Sequence, residues 1–201
     1  MTRRILVFLL SSLITAGLQA QSPSSRLGLA LGAASPQELH ASNGMCLGLN
    51  IYFNQGSPAE GRIRFEGVNF GSKTEVTSTT VLESKGNAVT VSYDWMPGNG
   101  RIHAILGIGA MSWYQNLQQE DIFGGFPSFR NYGGSRTGFS IVPTLGVQIR
   151  LNQCFCFEGR YAFATNINNN DGYYLTYNAG NNLREMRYFA LGIEFRLPKL
   201  R

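Results

Sequence analysis

The stretch from residue 188 to residue 197 reads Tyr188-Phe189-Ala190-Leu191-Gly192-Ile193-Glu194-Phe195-Arg196-Leu197. Large apolar side chains take every second position, and polar or small residues take the positions between them. A period of two residues predicts a β-strand whose two faces meet different surroundings. One apolar face and one polar or small face are typical of a strand in a barrel that contacts lipid on its outside.

The same alternation recurs from about residue 26 onwards and predicts eight strands. They are expected at 26–33, 44–53, 61–70, 87–96, 101–114, 137–151, 154–164 and 186–197. The connections alternate in length: the long ones cover 34–43, 71–86, 115–136 and 165–185, and the short ones cover 54–60, 97–100 and 152–153. Outer-membrane barrels have short periplasmic turns and longer external loops. The sequence therefore predicts a closed eight-stranded antiparallel up-and-down transmembrane barrel.

Two positions interrupt the pattern. Beyond Gly67 the apolar phase changes to Val68 and Phe70, which predicts a β-bulge with these two side chains on the apolar face. Pro143 lacks a backbone donor, so a second bulge is expected there. Aromatic residues near the strand ends are expected to form interfacial girdles: Tyr93, Trp95, Trp113, Tyr114 and Phe139.

The first 20 residues are expected to form a cleaved signal peptide, which leaves 21–201 as the barrel. Arg3 and Arg4 precede a short apolar core, and Ala20 is a small residue suited to cleavage. Elsewhere no uncharged apolar run reaches the length of a transmembrane helix. Without the two signal arginines, 15 basic residues (17 minus 2) face 12 acidic ones, a balance too mild to indicate nucleic-acid binding.

A soluble barrel with its apolar faces inward is the alternative. An eight-stranded barrel has an interior only wide enough for packed side chains or one small ligand, too little for all the large apolar residues. The opposite face is rich in glycine, which suits a cramped lumen better than a wet surface. The pattern therefore favours the orientation with the apolar face toward lipid.

On these residues the chain resembles the eight-stranded outer-membrane barrels of the OmpA, OmpX and OmpW type. The resemblance covers the signal and residues 26–197. Gly192, Phe195 and Leu197 are similar to the C-terminal signal read by the barrel-assembly machinery, although the chain continues to Arg201 instead of ending on an aromatic residue. The resemblance implies the bacterial outer membrane, with outer-membrane lipid, lipopolysaccharide and the assembly machinery as partners, and a monomer.

The inward face carries a charged set, which must pair because an isolated buried charge costs several kcal/mol. Its members are Arg62, Arg64, Glu66, Asp94, Arg101, His103, Gln148, Arg150, Glu158, Arg160, Glu194 and Arg196. Pairing is expected across strands six, seven and eight, among Arg150, Glu158, Arg160 and Glu194. Either the ion pairs plug the lumen or the arginines line a narrow channel for small solutes. The small interior of eight strands favours the plug.

Other candidate sites are weaker. His40 and Ser42 belong to a His-x-Ser-Asn segment similar to a motif of outer-membrane lipid A deacylases. No downstream carboxylate suits it, so lipid-modifying activity is only a remote alternative and no enzyme is expected. Cys46 falls near the opposite rim from Cys154 and Cys156, and those two lie too close together on one strand to pair. The sequence therefore predicts three free buried thiols. Neither a metal site nor a cofactor is expected.

The two longest connections combine aromatic residues with glycine and asparagine, a composition that suits recognition surfaces. The candidate binding residues are Phe123, Phe126, Phe129, Tyr132, Tyr173, Tyr174 and Tyr177. A self-packed cap over the barrel is the alternative. The sequence therefore predicts a structural or surface-binding barrel that acts through its external loops toward an unidentified extracellular ligand.

Overall fold

The computed structural model describes residues 26–36, 41–55, 60–77, 80–123, 126–167, 173–174, 182–183 and 185–197. The predicted signal peptide lies outside these residues. Eight long strands follow one another as β1 to β8. They are β1 Arg26–Pro36, β2 Gly44–Phe53, β3 Gly61–Thr77, β4 Thr80–Trp95, β5 Ile102–Phe123, β6 Phe126–Arg150, β7 Phe155–Asn166 and β8 Glu185–Arg196.

The eight strands form a closed antiparallel barrel, as predicted. Each strand pairs with its neighbour in the chain, and β1 pairs with β8 to close the ring. Short strands at Ala41–Ser42 and Gly98–Asn99 extend the sheet, and Tyr173–Tyr174 pairs separately with Asn182–Leu183. Among the described residues, no helix is long and apolar enough to cross a membrane.

The apolar face of the strands points outward. In β8, Phe189, Leu191 and Ile193 are exposed, whereas the residues between them turn into the lumen. Met45 and Leu47 in β2 are 63% and 67% exposed, and large apolar side chains are exposed on the other strands as well. A surface that faces water would not carry so many of them. The soluble alternative, with the apolar face inward, is therefore wrong.

The barrel wall is taller on one side than expected. The predicted connections 71–86 and 115–136 are mostly strand, since β3 and β4 continue to 77 and 80 and β5 and β6 continue to 123 and 126. Backbone pairing joins all four extensions, with Gly71 opposite Lys85 and Gly86 opposite Gln115. Polar side chains do not stop an antiparallel ladder, so the end of the apolar pattern did not mark the end of the strands. We call this part of the sheet, residues 71–77, 80–86, 115–123 and 126–136, the wall extension.

Both predicted bulges are wrong. Register is continuous through Gly67, so Val68 and Phe70 point into the lumen and not outward. At Pro143 the register of β6 against β5 is also continuous. The pairing of β6 with β7 is interrupted between Ile141 and Thr144, but the register is the same on both sides of the interruption. The missing proline donor thus removes hydrogen bonds without inserting a residue. Register shifts occur instead in the wall extension, between Glu75 and Thr77 and between Asn116 and Gln118.

The lumen has an apolar layer toward the wall extension. Val68, Phe70 and Met111 are buried there with Trp113, which therefore lies inside the barrel and not in the predicted outer girdle. Glycine makes room for the two largest rings: a Cβ on Gly86 would lie 3.0 Å from Cδ2 of Phe70, and one on Gly138 would lie 2.7 Å from Cε2 of Trp113. The apolar residues Val68 and Phe70, which depart from the apolar alternation of β3, therefore belong to the apolar layer of the lumen. The other predicted girdle residues do face outward.

The outward orientation predicts a depth-dependent cost of charge. Leu145 lies midway along the exposed apolar face of β6, so Leu145→Arg should lower the free energy of unfolding by about 2–4 kcal/mol in lipid vesicles. The matched variant Ser135→Arg, exposed beyond the apolar face of the same strand, should cost less than about 1 kcal/mol. Urea titration gives the free energy of unfolding of both variants. Equal decreases in the two variants would contradict a lipid-facing surface at Leu145.

Candidate functional site

A layer of paired charges fills the lumen on the side of the short turns. We call it the ionic layer. Each member lies in the inward phase of its strand and is at most 7% exposed. With four arginines and four carboxylates, the formal charges cancel. The members are Arg62, Arg64, Glu66, Asp94, Glu158, Arg160, Glu194 and Arg196.

Its strongest contacts cross the barrel instead of following neighbouring strands. Strands β3 and β7 lie on opposite walls, four places apart in a ring of eight. Nη1 of Arg62 in β3 donates to Oε2 of Glu158 in β7 at 2.5 Å, and Arg64 also donates to Glu158. In the reverse sense, Arg160 in β7 donates to Glu66 in β3. Side chains from opposite walls therefore meet in the middle of the lumen.

Further pairs complete this cross-lumen group. Nε of Arg62 donates to Oδ2 of Asp94 at 2.7 Å, and Nε of Arg160 lies 2.5 Å from Oε1 of Glu158. Arg64 donates to Glu66 at 3.1 Å along its own strand. Three arginines thus share three carboxylates, which offsets the desolvation cost that each charge would carry alone.

The other two charges are held by uncharged neighbours. Tyr52 donates from its hydroxyl to Oε2 of Glu194 at 2.6 Å, and the Asn50 amide donates to the same oxygen at 2.9 Å. Arg196 donates to Oε1 of Gln148 at 2.5 Å, and its guanidinium lies 4.2 Å from the Tyr52 ring centroid. Both charges are therefore hydrogen-bonded as well as paired, since Nε of Arg196 lies 3.4 Å from Oε1 of Glu194.

Glycines on neighbouring strands leave space for the charged side chains. A Cβ on Gly28 in β1 would lie 2.9 Å from Cδ of Glu194, and a Cβ on Gly107 in β5 would lie 3.3 Å from Cγ of Asp94. In both cases a carboxylate oxygen would be closer still. Gly28 and Gly107 therefore provide space for these two carboxylates, because a larger residue at either position would displace them.

Three predicted lumen charges lie elsewhere. Arg150 does not join the charges of β7 and β8, because it pairs with buried Glu60 nearer the short turns. His103 is buried, with its ring nitrogens near the carbonyl oxygens of Met96 and Gly100 at 3.4 and 3.2 Å. Arg101 is exposed in the turn before β5. All three sit near the turns, where the chain leaves the regular alternation.

The sequence reasoning missed Tyr52, Asn50 and Glu60. The first two follow from the alternation of β2, since its outward residues leave Asn50 and Tyr52 facing inward. Glu60 lies before the first residue of β3, in the connection 54–60, where no strand phase applies. A search restricted to charged residues could not find the two uncharged members of β2.

The candidate binding residues of the connections are partly displaced. Phe123, Phe126, Phe129 and Tyr132 are strand residues of the wall extension, with Phe123 paired to Phe126. Tyr173 and Tyr174 form a short strand, and Tyr177 lies outside the described residues. The binding role of these residues stays a prediction.

The remaining candidates do not form a site among the residues that the structure describes. His40 lies outside them, while Ser42 belongs to the short strand paired with β3. All three cysteines are free, as predicted. Cys46 and Cys156 are buried, but Cys154 is only half-buried, so the prediction of burial is wrong for Cys154. No group of three ligating side chains that could hold a metal ion occurs in this part of the chain.

Comparison with solved structures supports the fold. A major outer membrane protein from Thermus thermophilus aligns with a TM-score of 0.60 at 9% identity, over 87% of this chain and 100% of that one. Ail of Yersinia pestis aligns at 0.47 with 14% identity, over 87% and 97%. OprG from Pseudomonas aeruginosa aligns at 0.43 with 10% identity, over 88% and 97%.

These identities are too low to carry a function from one protein to another, and only the Thermus comparison has a TM-score that supports an argument. No protein-family profile matches the chain. No curated protein matches it in sequence. The chain therefore has the fold of an outer-membrane β-barrel.

The cross-lumen pairing predicts a large cost for removing one carboxylate. Glu158→Gln leaves Arg62, Arg64 and Arg160 with too few counter-charges, so the free energy of unfolding should fall by about 3–5 kcal/mol. Glu83→Gln removes only the partner of the exposed Lys85 and should cost less than about 1 kcal/mol. Urea unfolding of both variants in vesicles measures the two changes. If Glu158→Gln lowered the free energy of unfolding by no more than Glu83→Gln does, the cross-lumen pairing would be contradicted.

Proposed function

We propose that this chain is an integral outer-membrane barrel whose lumen is closed to ions and whose wall extension serves as a surface for binding outside the cell. The observation that carries the closed lumen is the ionic layer, in which side chains from β3 and β7 meet across the barrel.

The wall extension supports the surface role. At about 3.3 Å per residue, the part of β5 beyond Tyr114 is about 30 Å long. Pairing between the described residues of β6 and β7 begins at Ser140, while the earlier residues of β6 pair with β5. A strand at this position is suited to β-strand addition, in which an extended peptide joins the edge of a sheet. An extended protein segment is therefore the ligand class that this surface would fit.

The remaining partners follow from the same placement. The exposed apolar face of the strands would contact the acyl chains of outer-membrane lipid and lipopolysaccharide, and the assembly machinery would insert the chain as a monomer. The short turns would lie in the periplasm and the wall extension outside. An enzymatic role has no supporting geometry among the described side chains.

A closed lumen predicts a silent barrel. The refolded wild-type protein should give no single-channel steps in a planar bilayer, with a heat-shifted gel band as evidence of folding. Arg62→Ala/Glu158→Ala removes one positive and one negative charge, so the layer stays neutral but loses a bridge across the lumen. This variant should conduct.

The control is Lys85→Ala/Glu83→Ala, which removes an exposed pair of the wall extension and should stay silent. Reproducible steps from the wild-type barrel would overturn the closed lumen. They would support the second candidate function, a narrow channel lined by arginines.

The orientation predicts which residues can be labelled from outside. A membrane-impermeant maleimide should modify Ser135→Cys in intact cells, because residue 135 is exposed on the wall extension. The control Asn152→Cys, exposed in the turn between β6 and β7, should react only after the outer membrane is permeabilised. Mass spectrometry of the labelled chain gives the readout, and the opposite pattern would contradict the orientation.

A further inference from the structure

The ionic layer consists of two groups that are each electrically neutral. The cross-lumen group contains Arg62, Arg64 and Arg160 with Glu66, Asp94 and Glu158, that is, three positive and three negative charges. The second group contains Glu194 and Arg196 with the uncharged residues Asn50, Tyr52 and Gln148. Neither group needs the other to balance its charge.

The hydroxyl of Tyr52 holds the shortest bond between the two groups. It accepts from Nη1 of Arg62 at 3.1 Å, while it donates to Glu194 at 2.6 Å and accepts from Gln148 at 2.9 Å. The other contacts between the described members of the groups are long: Arg62 to Glu194 and Gln148 to Glu158 are both 3.4 Å. One neutral oxygen atom therefore joins side chains from four strands.

We propose that the Tyr52 hydroxyl is the latch that keeps the two groups together and the lumen closed. This inference rests on the closed lumen proposed above and assigns its maintenance to one atom. Without the hydroxyl, each group keeps its own ion pairs, so the fold persists. Among the described residues, the boundary between the groups then has the two long hydrogen bonds and the distant contact of Arg62 with the ring of residue 52, and water with small ions can pass along it.

Tyr52 acts as a positioning residue and not merely as filling. Its side chain is fully buried, and its ring lies near the guanidinium groups of Arg196 and Arg62, at 4.2 and 5.8 Å from the ring centroid. Phenylalanine would retain the ring and these cation contacts. Tyr52→Phe therefore removes the latch oxygen alone.

The test is single-channel recording of Tyr52→Phe beside the wild type, with the heat-shifted band confirming that both barrels are folded. We expect a silent wild type and brief openings of Tyr52→Phe, with at least about a tenfold rise in the ratio of open to closed time. A change of this size is expected from the loss of the hydrogen bond between Arg62 and the Tyr52 hydroxyl, because its donor is charged.

A control separates the latch from general loosening. Tyr114→Phe removes a hydroxyl from an outward-facing tyrosine and should stay silent. Openings of Tyr114→Phe equal to those of Tyr52→Phe would overturn the latch.

Failure of the latch is distinguishable from failure of the closed lumen. A silent Tyr52→Phe barrel, beside a silent wild type and a conducting Arg62→Ala/Glu158→Ala barrel, overturns the latch and leaves the closed lumen standing. A conducting wild type overturns the closed lumen and, with it, the latch.

Discussion

A charge inside a narrow barrel must be paired, and this requirement organises the structure from the lumen outward. Eight strands leave an interior only as wide as its side chains, so charged groups that enter it cannot remain hydrated. In this protein the pairing partners come from opposite walls: Arg62 and Arg64 of β3 meet Glu158 of β7. The ion pairs thereby fix the distance between strands that share no backbone hydrogen bond.

The lumen separates charge from apolar bulk along the barrel. The ionic layer lies toward the short turns, and the apolar layer around Trp113 and Phe70 lies toward the wall extension. Glycines serve both layers, because Gly28 leaves space for a carboxylate and Gly138 leaves space for an indole ring. A small residue on one strand is thus matched by a large residue on another in both layers.

The two ends of the barrel differ in what they contain. The end nearer the short turns holds the ionic layer, whose charges come from β3, β4, β7 and β8. The other end is the wall extension, which is formed by β3 to β6. Under the proposed function, the first end would close the lumen and the second would bind outside the cell.

Alternation along the chain determined the eight strands, most of their outward faces and all eight charged members of the ionic layer, because a period of two assigns each residue to one side of a sheet. It could not assign partners, since Arg62 and Glu158 are 96 residues apart and meet only once the ring has closed. It also failed where the lumen is apolar. Val68 and Trp113 resemble outward residues by composition, and only the continuous register of the sheet places them inside. The extent of the wall extension was likewise decided by the tertiary structure. Backbone pairing of β3 with β4, β4 with β5 and β5 with β6 continues where the hydrophobic pattern ends.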